Sequence, residues 1–255
     1  MPSQATRPPL VGMPAVWLRD NCPCPLCRDP VSGQRLLHIT DIPAADLGGE
    51  PPRGAWPRYL AEAGYRRACQ SAILREGLLL LSDVPTEPGA VLAVAASLGY
   101  VRETNYGRLF DVRVESSPSN LAFTSLPIPP HTDNPYRDPV PTVQLLHCLH
   151  NAADGGDSGF VDGFHAAAAL RAQDRAAYAA FAELLSAAPS MLTVRLRPGD
   201  CAVFDNTRVL HARTGFAQAG RRHLQGCYAD LDGVESAVAV GERATTGVIR
   251  RKDRT

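Results

Sequence analysis

The residues that first suggest chemistry are His131 and Asp133, in the run PPHTDNP at 129–135. Side chains at i and i+2 of an extended chain project from the same face a few ångströms apart, which is a chelating arrangement. Another imidazole follows in His211, at the end of DNTRVLH (205–211). Two imidazoles and one carboxylate on one face of an octahedron leave three positions free, which suits non-haem Fe(II) that must also take a bidentate oxoacid and dioxygen. His-x-Asp by itself more commonly means a surface turn. Eleven residues beyond His211 stands Arg222, in RRHLQGCYAD (221–230). Strand alternation sends Arg222, Leu224, Gly226 and Tyr228 to one face and Arg221, His223, Gln225 and Cys227 to the other. A guanidinium on an interior face needs an anionic partner, and the distal carboxylate of 2-oxoglutarate would be one. The other histidines, His38, His147, His150, His165 and His223, read as structural or exposed.

These residues must be held by β structure. Short strand candidates recur at 111–116, 121–125, 142–149, 191–196, 201–204 and 222–229, separated by Pro, Gly and Asp clusters and interrupted by one Ala-rich helix at 164–187. Many short strands that do not alternate with helices point to a mainly β sandwich or barrel with flanking helices, not a parallel α/β sheet. Upstream, Tyr59–Leu74 reads as a helix, Gly77–Val84 as a buried strand and Pro88–Leu98 as a helix opened by Pro-Gly. Residues 1–55 read as a small Cys-rich N-terminal β domain, with strands at 15–18 and 36–39 and a Gly/Pro-rich break before residue 56. Residues 56–255 are expected to form the main domain.

The chain has 255 residues, 45% hydrophobic, with 26 basic and 26 acidic side chains. It can bury a full core, and zero net charge gives no drive toward nucleic acid or an anionic bilayer, so a small-molecule substrate is favoured. The opening residues lack the charged-then-apolar pattern of a secretory signal and no run reaches about 18 apolar residues, so a cytoplasmic protein is expected. Seven cysteines, three of them at 22, 24 and 27 and four scattered, do not form a secreted disulfide framework and should be reduced. The RRKDR run at 250–254 reads as a solvated tail.

In order and local wording the chain resembles the γ-butyrobetaine dioxygenase branch of the taurine dioxygenase (TauD/TfdA-like) oxygenases. The matching segments are PAVWLRDNCPCPLC (14–27), HTDNPY (131–136), VQLLHC (143–148), GGDS (155–158), VDGF (161–164), FDN (204–206) and RHLQGCY (222–228). The resemblance implies a double-stranded β-helix (jelly roll) and a hydroxylase that uses Fe(II), dioxygen and 2-oxoglutarate, releasing succinate and CO2. It implies His131, Asp133 and His211 as iron ligands, Arg222 as the cosubstrate's partner and Ser158 as a hydroxyl assisting it. Members acting on trimethylammonium substrates surround the cation with aromatic rings, because cation–π attraction strengthens once water is excluded. The matching positions are Tyr106, Phe110, Phe123 and Tyr228, with Asn120 as a polar wall.

Two departures bear on these expectations. Cys22, Cys24 and Cys27 suit a structural zinc, but the family's fourth ligand, a downstream histidine, is missing, and His38 is the nearest substitute. His131 and His211 are only 80 positions apart, and the family carries several dozen more residues near Gln173–Ala177. That shortening implies an incomplete barrel with exposed strand edges. A catalytically silent protein with a binding or regulatory role is the competing expectation. No oligomeric state is specified by the sequence, and a homodimer stands as one option.

Overall fold

The computed structural model describes residues 50–172, 185, 191–217 and 220–245. The chain divides into two compact units, Met1–Pro43 and Ala44–Thr255. The expected zinc residues Cys22, Cys24, Cys27 and His38, the strands at 15–18 and 36–39, residues 173–177 and the C-terminal tail lie outside the described residues.

In chain order the larger unit contains β1 (Arg53–Ala55), α1 (Trp56–Ala61), α2 (Ala63–Glu76), β2 (Leu78–Ser82), α3 (Ala90–Leu98), β3 (Phe110–Arg113), β4 (Ile128–His131) and β5 (Val143–Asn151). There follow β6 (Ser158–Asp162), α4 (Gly163–Ala172), β7 (Met191–Val194), β8 (Cys201–Asp205), β9 (Val209–Arg213), β10 (Arg222–Ala229) and α5 (Leu231–Thr245). One sheet has the order β1-β2-β8-β5-β10-β3 and the other β4-β9-β6-β7. Among the described residues only β1 and β2 pair in parallel. Strands β3 to β10 thus supply four strands to each sheet, the eight-stranded jelly roll. The eight strands of a jelly roll are all present among the described residues, so the expected incomplete barrel is not found. Residues 53–55, in the segment expected to stand apart, pair with β2.

Alternation along β2 shows how sequence builds the core. Leu78 and Leu80 join Leu146, Phe160, Phe204, Val209 and Leu224 between the two sheets. Leu79 and Leu81 point the other way, to a second cluster with Tyr59, Ile73, Val91, Val94 and Leu98 from α1, α2 and α3. A strand covered on both faces must be apolar throughout, hence LLLL. Each such leucine contributes about 1.5–3 kcal/mol relative to exposure. Phe160 and Phe204 meet edge to face at 5.4 Å and tie one sheet to the other. The four cysteines described, Cys69, Cys148, Cys201 and Cys227, are free thiols buried in these clusters, and burial raises their pKa values, to about 12 for Cys148 and Cys227.

Two local expectations are corrected. The strand expected at 121–125 is a 3-10 turn, Leu121–Phe123, because Asn120 Oδ1 accepts from Ala122 N at 2.8 Å and competes with sheet pairing. The single helix expected at 59–74 is two, broken at Glu62, whose backbone is extended. Among the described residues, no helix is long and apolar enough to cross a membrane.

Candidate active site

Strands β4 and β9 run antiparallel with His131 directly opposite His211, and the two rings lie 4.1 Å apart between centroids. Asp133 follows just past the end of β4, where Asn134 turns the chain with φ +54°. Its Oδ1 is 3.5 Å from His131 Nε2 and 4.0 Å from His211 Nε2. One ligand atom from each of the three residues falls within 4.8 Å of the others. Asn206 holds the Asp133 backbone from both sides, donating through Nδ2 to its carbonyl and accepting from its N–H, each at 2.9 Å. The second carboxylate oxygen, Oδ2, receives Gln144 Nε2 at 2.6 Å and the Tyr228 hydroxyl at 2.8 Å.

The electrostatics match metal ligation. Burial, followed by the charge of His131, lowers the His211 pKa to about 4, so its imidazole is neutral at ordinary pH. Burial pushes Asp133 upward, but hydrogen bonding from His131, the charge of His211 and the Tyr228 hydroxyl outweigh it and bring the carboxyl to about 2. For His131 burial acts downward, yet bonding to Asp133 leaves its pKa raised. Its Nδ1 sits 2.9 Å from the Pro129 carbonyl, which holds a proton there and frees Nε2. An arriving cation therefore meets a carboxylate and a neutral imidazole, and displaces at most the proton on His131. The donor set fits Fe(II), with two nitrogens, one oxygen and space for further ligands.

Across the cavity are two buried guanidinium groups. Arg222, the first residue of β10, donates through Nε to the Gly156 carbonyl at 3.0 Å. Gly156 has φ +74°, and a Cβ there would lie 2.9 Å from Arg222 Cδ and Nε, so a side chain at 156 is excluded by both conformation and space. Arg213, in register two residues beyond His211, donates to the carbonyls of Leu121, Ala122, Thr124 and Leu126 at 3.4, 3.2, 2.8 and 2.6 Å. The Phe216 ring lies 5.1 Å from the Arg213 guanidinium carbon and 5.6 Å from that of Arg222. Burial lowers both pKa values to about 10, with Arg222 also repelling Arg213, and both stay charged at neutral pH. Among the described residues, no carboxylate forms an ion pair with either, so the pair presents uncompensated positive charge to an anion. A dicarboxylate fits that deficit. Ser158, at the start of β6, lines the same space.

Removing the Arg213 head would strand several carbonyls. Arg213→Met is expected to lower stability by at least about 2 kcal/mol. A lower denaturant midpoint and faster amide exchange across Leu121–Leu126 would check it; unchanged exchange there would refute the tethering role.

A cavity of about 400 Å³ joins these parts, and its walls include Tyr106, Phe110, Asn120, Phe123 and Tyr228 together with the three clustered residues, Ser158 and Arg222. Phe110 lies 5.2 Å from Tyr228 and 6.2 Å from Tyr106, centroid to centroid. Gly226 makes this possible, since a Cβ there would stand 2.4 Å from Phe110 Cζ. Phe123 and Asn120 come from the 3-10 turn that Arg213 tethers. Tyr106 is 45% exposed and stands at the mouth. Sequence reasoning passed over Gln144, Asn206 and Arg213. For Arg213 the available signal was parity, since it shares a strand face with His211.

The sequence matches the family described as taurine catabolism dioxygenase TauD, TfdA family over residues 39–183 and 171–228. It is 29% identical to the gamma-butyrobetaine dioxygenase of Pseudomonas sp. (strain AK-1), covering 89% of this chain and 90% of that protein. That alignment spans 344 positions, more than the 255 residues here, so the relative carries segments this chain lacks. Identity to the mitochondrial trimethyllysine dioxygenase of Gallus gallus is 25%, over 86% of this chain and 81% of the relative. Among solved structures, PvcB from Pseudomonas aeruginosa superposes with a TM-score of 0.55 at 19% identity, over 71% of this chain and 87% of that one.

Proposed function

The chain belongs to the taurine catabolism dioxygenase TauD, TfdA family, and from that premise we propose that it hydroxylates a small trimethylammonium compound, with His131, Asp133 and His211 holding Fe(II) and Arg222 and Ser158 receiving 2-oxoglutarate. It is an Fe(II)- and 2-oxoglutarate-dependent dioxygenase. Held there, the metal and the oxoacid would supply the oxidising chemistry of the hydroxylation, with succinate and CO2 as by-products. The protein's own residues do the positioning. Arg222 orients the oxoacid by its distal carboxylate, through a fork made to grip two oxygens. The aromatic wall excludes water and holds the cation so that one carbon of the substrate faces the cluster.

The single observation that carries this reading is that one cavity contains the three-residue cluster, the uncompensated Arg222 and the four aromatic rings. Two relatives of this chain are named for γ-butyrobetaine and trimethyllysine, both trimethylammonium compounds. If charge is what the rings recognise, each face contributes about 0.5–2 kcal/mol, and losing one should weaken binding roughly two- to thirty-fold. Succinate release is expected to rise with γ-butyrobetaine, to fall when its trimethylammonium group is replaced by an uncharged tert-butyl group, and to fall again in Phe110→Leu with γ-butyrobetaine itself. Equal stimulation by the two compounds would move the substrate class to uncharged or anionic molecules.

A further inference from the structure

Asp133 turns its two carboxylate oxygens to different neighbours. Oδ1 faces both imidazoles, whereas Oδ2 accepts from Gln144 and from Tyr228. These two donors are direct cross-strand partners, Gln144 on β5 and Tyr228 on β10, on the interior face of the larger sheet. Two donors occupy the lone pairs of Oδ2, so a cation meeting the histidines finds Oδ1 alone. Gln144 lies in the run VQLLHC and is 1% exposed. Its Oε1 is buried without a partner among the described residues, and its amide is turned so that the NH2 reaches Asp133. The flipped amide would set acceptor against acceptor. Burying an amide with one end unsatisfied is a cost that leucine at this position would avoid, so packing alone does not explain the glutamine.

We propose that Gln144 and Tyr228 are positioning residues that hold Asp133 to single-oxygen ligation, and that Tyr228 thereby links the aromatic cage to the metal centre. This rests on the reading that His131, Asp133 and His211 hold the metal. A carboxylate free at Oδ2 can chelate through both oxygens and take a position that the oxoacid needs. Tyr228 differs from the other three rings in this respect: its face lines the cavity while its hydroxyl fixes a ligand.

The test uses the full-length protein, anaerobic Co(II) as the probe, and two nearly isosteric variants. Tyr228→Phe keeps the ring and removes the hydroxyl; Gln144→Met keeps the length and removes the donor. Each is expected to weaken Co(II) binding roughly 10- to 100-fold and to change the visible Co(II) absorption, with a larger loss in the double variant. Tyr228→Phe is the milder change and decides the matter if Gln144→Met does not fold. A lowered melting temperature with Co(II) affinity and absorption unchanged in the folded protein would mean a merely structural role and overturns the inference. Should Co(II) binding be lost in His211→Ala but kept in Tyr228→Phe, the metal assignment stands and this inference falls. Failure of the unaltered protein to bind Co(II) would remove both.

Discussion

His211→Ala is expected to abolish turnover and to weaken Fe(II) binding by more than the roughly 10- to 100-fold that loss of an outer partner costs a metal site. The cause is geometric as well as chemical. His131 and His211 are paired across β4 and β9, so the second imidazole is held in place by the sheet, and alanine leaves two ligands on one strand end. Anaerobic titration with Fe(II) and 2-oxoglutarate, followed by the charge-transfer band, is the measurement. A full band in the variant would show that the metal lies elsewhere. Because pairing with Asp133 raises the His131 pKa, the proton on that ring competes with the metal. Affinity should therefore fall as pH drops through the titration of His131 and level off above it.

Arg222→Leu is expected to raise the 2-oxoglutarate concentration needed for half-saturation by roughly thirty-fold to several thousand-fold, corresponding to about 2–5 kcal/mol for truncating one side of a buried charge pair. Arg222→Lys should lie between, since a point charge replaces a fork. Arg221→Lys is the control, because Arg221 is exposed and precedes the strand; it should change the value less than two-fold, within the usual range of surface substitutions. The reverse ranking would mean that β10 is out of register by one residue. Without cosubstrate Arg222→Leu should be at least as stable as the parent, since it removes one of two uncompensated buried cations. Thermal unfolding with and without 2-oxoglutarate separates the two effects.

What could be read from sequence follows from strict periodicity. Parity along β10 placed Arg222, Leu224 and Tyr228 inside, and the structure has them on the cavity or between the sheets, with Cys227 on the opposite side against the helices. The i, i+2 spacing of His131 and Asp133 brought both to one cluster. Three kinds of information were not legible. Gln144 sits among apolar residues in a strand buried on both faces, where a polar letter looks like noise until its partner across the sheet is known. Leu121–Phe123 is a short apolar run that reads as a strand, but a single Asn120 side chain captures the backbone N–H that a neighbouring strand would need. Residue counting between His131 and His211 detects a shortening near Gln173–Ala177 without saying whether a strand of the roll goes with it. Because all eight strands of the roll are present, the main argument for a silent protein is gone.

Gly226 carries a consequence for how such a pocket is shaped. The Phe110 ring occupies the volume that any side chain at 226 would take, while position 226 makes none of the hydrogen bonds that orient Asp133, Arg222 or Arg213. A single methyl there would displace the ring and reshape the cavity wall, and it would also stand 3.1 Å from the Leu145 carbonyl on the neighbouring strand. Position 226 thus shapes the cavity wall through the ring it leaves room for, and through that ring it bears on Tyr228, which packs 5.2 Å from Phe110.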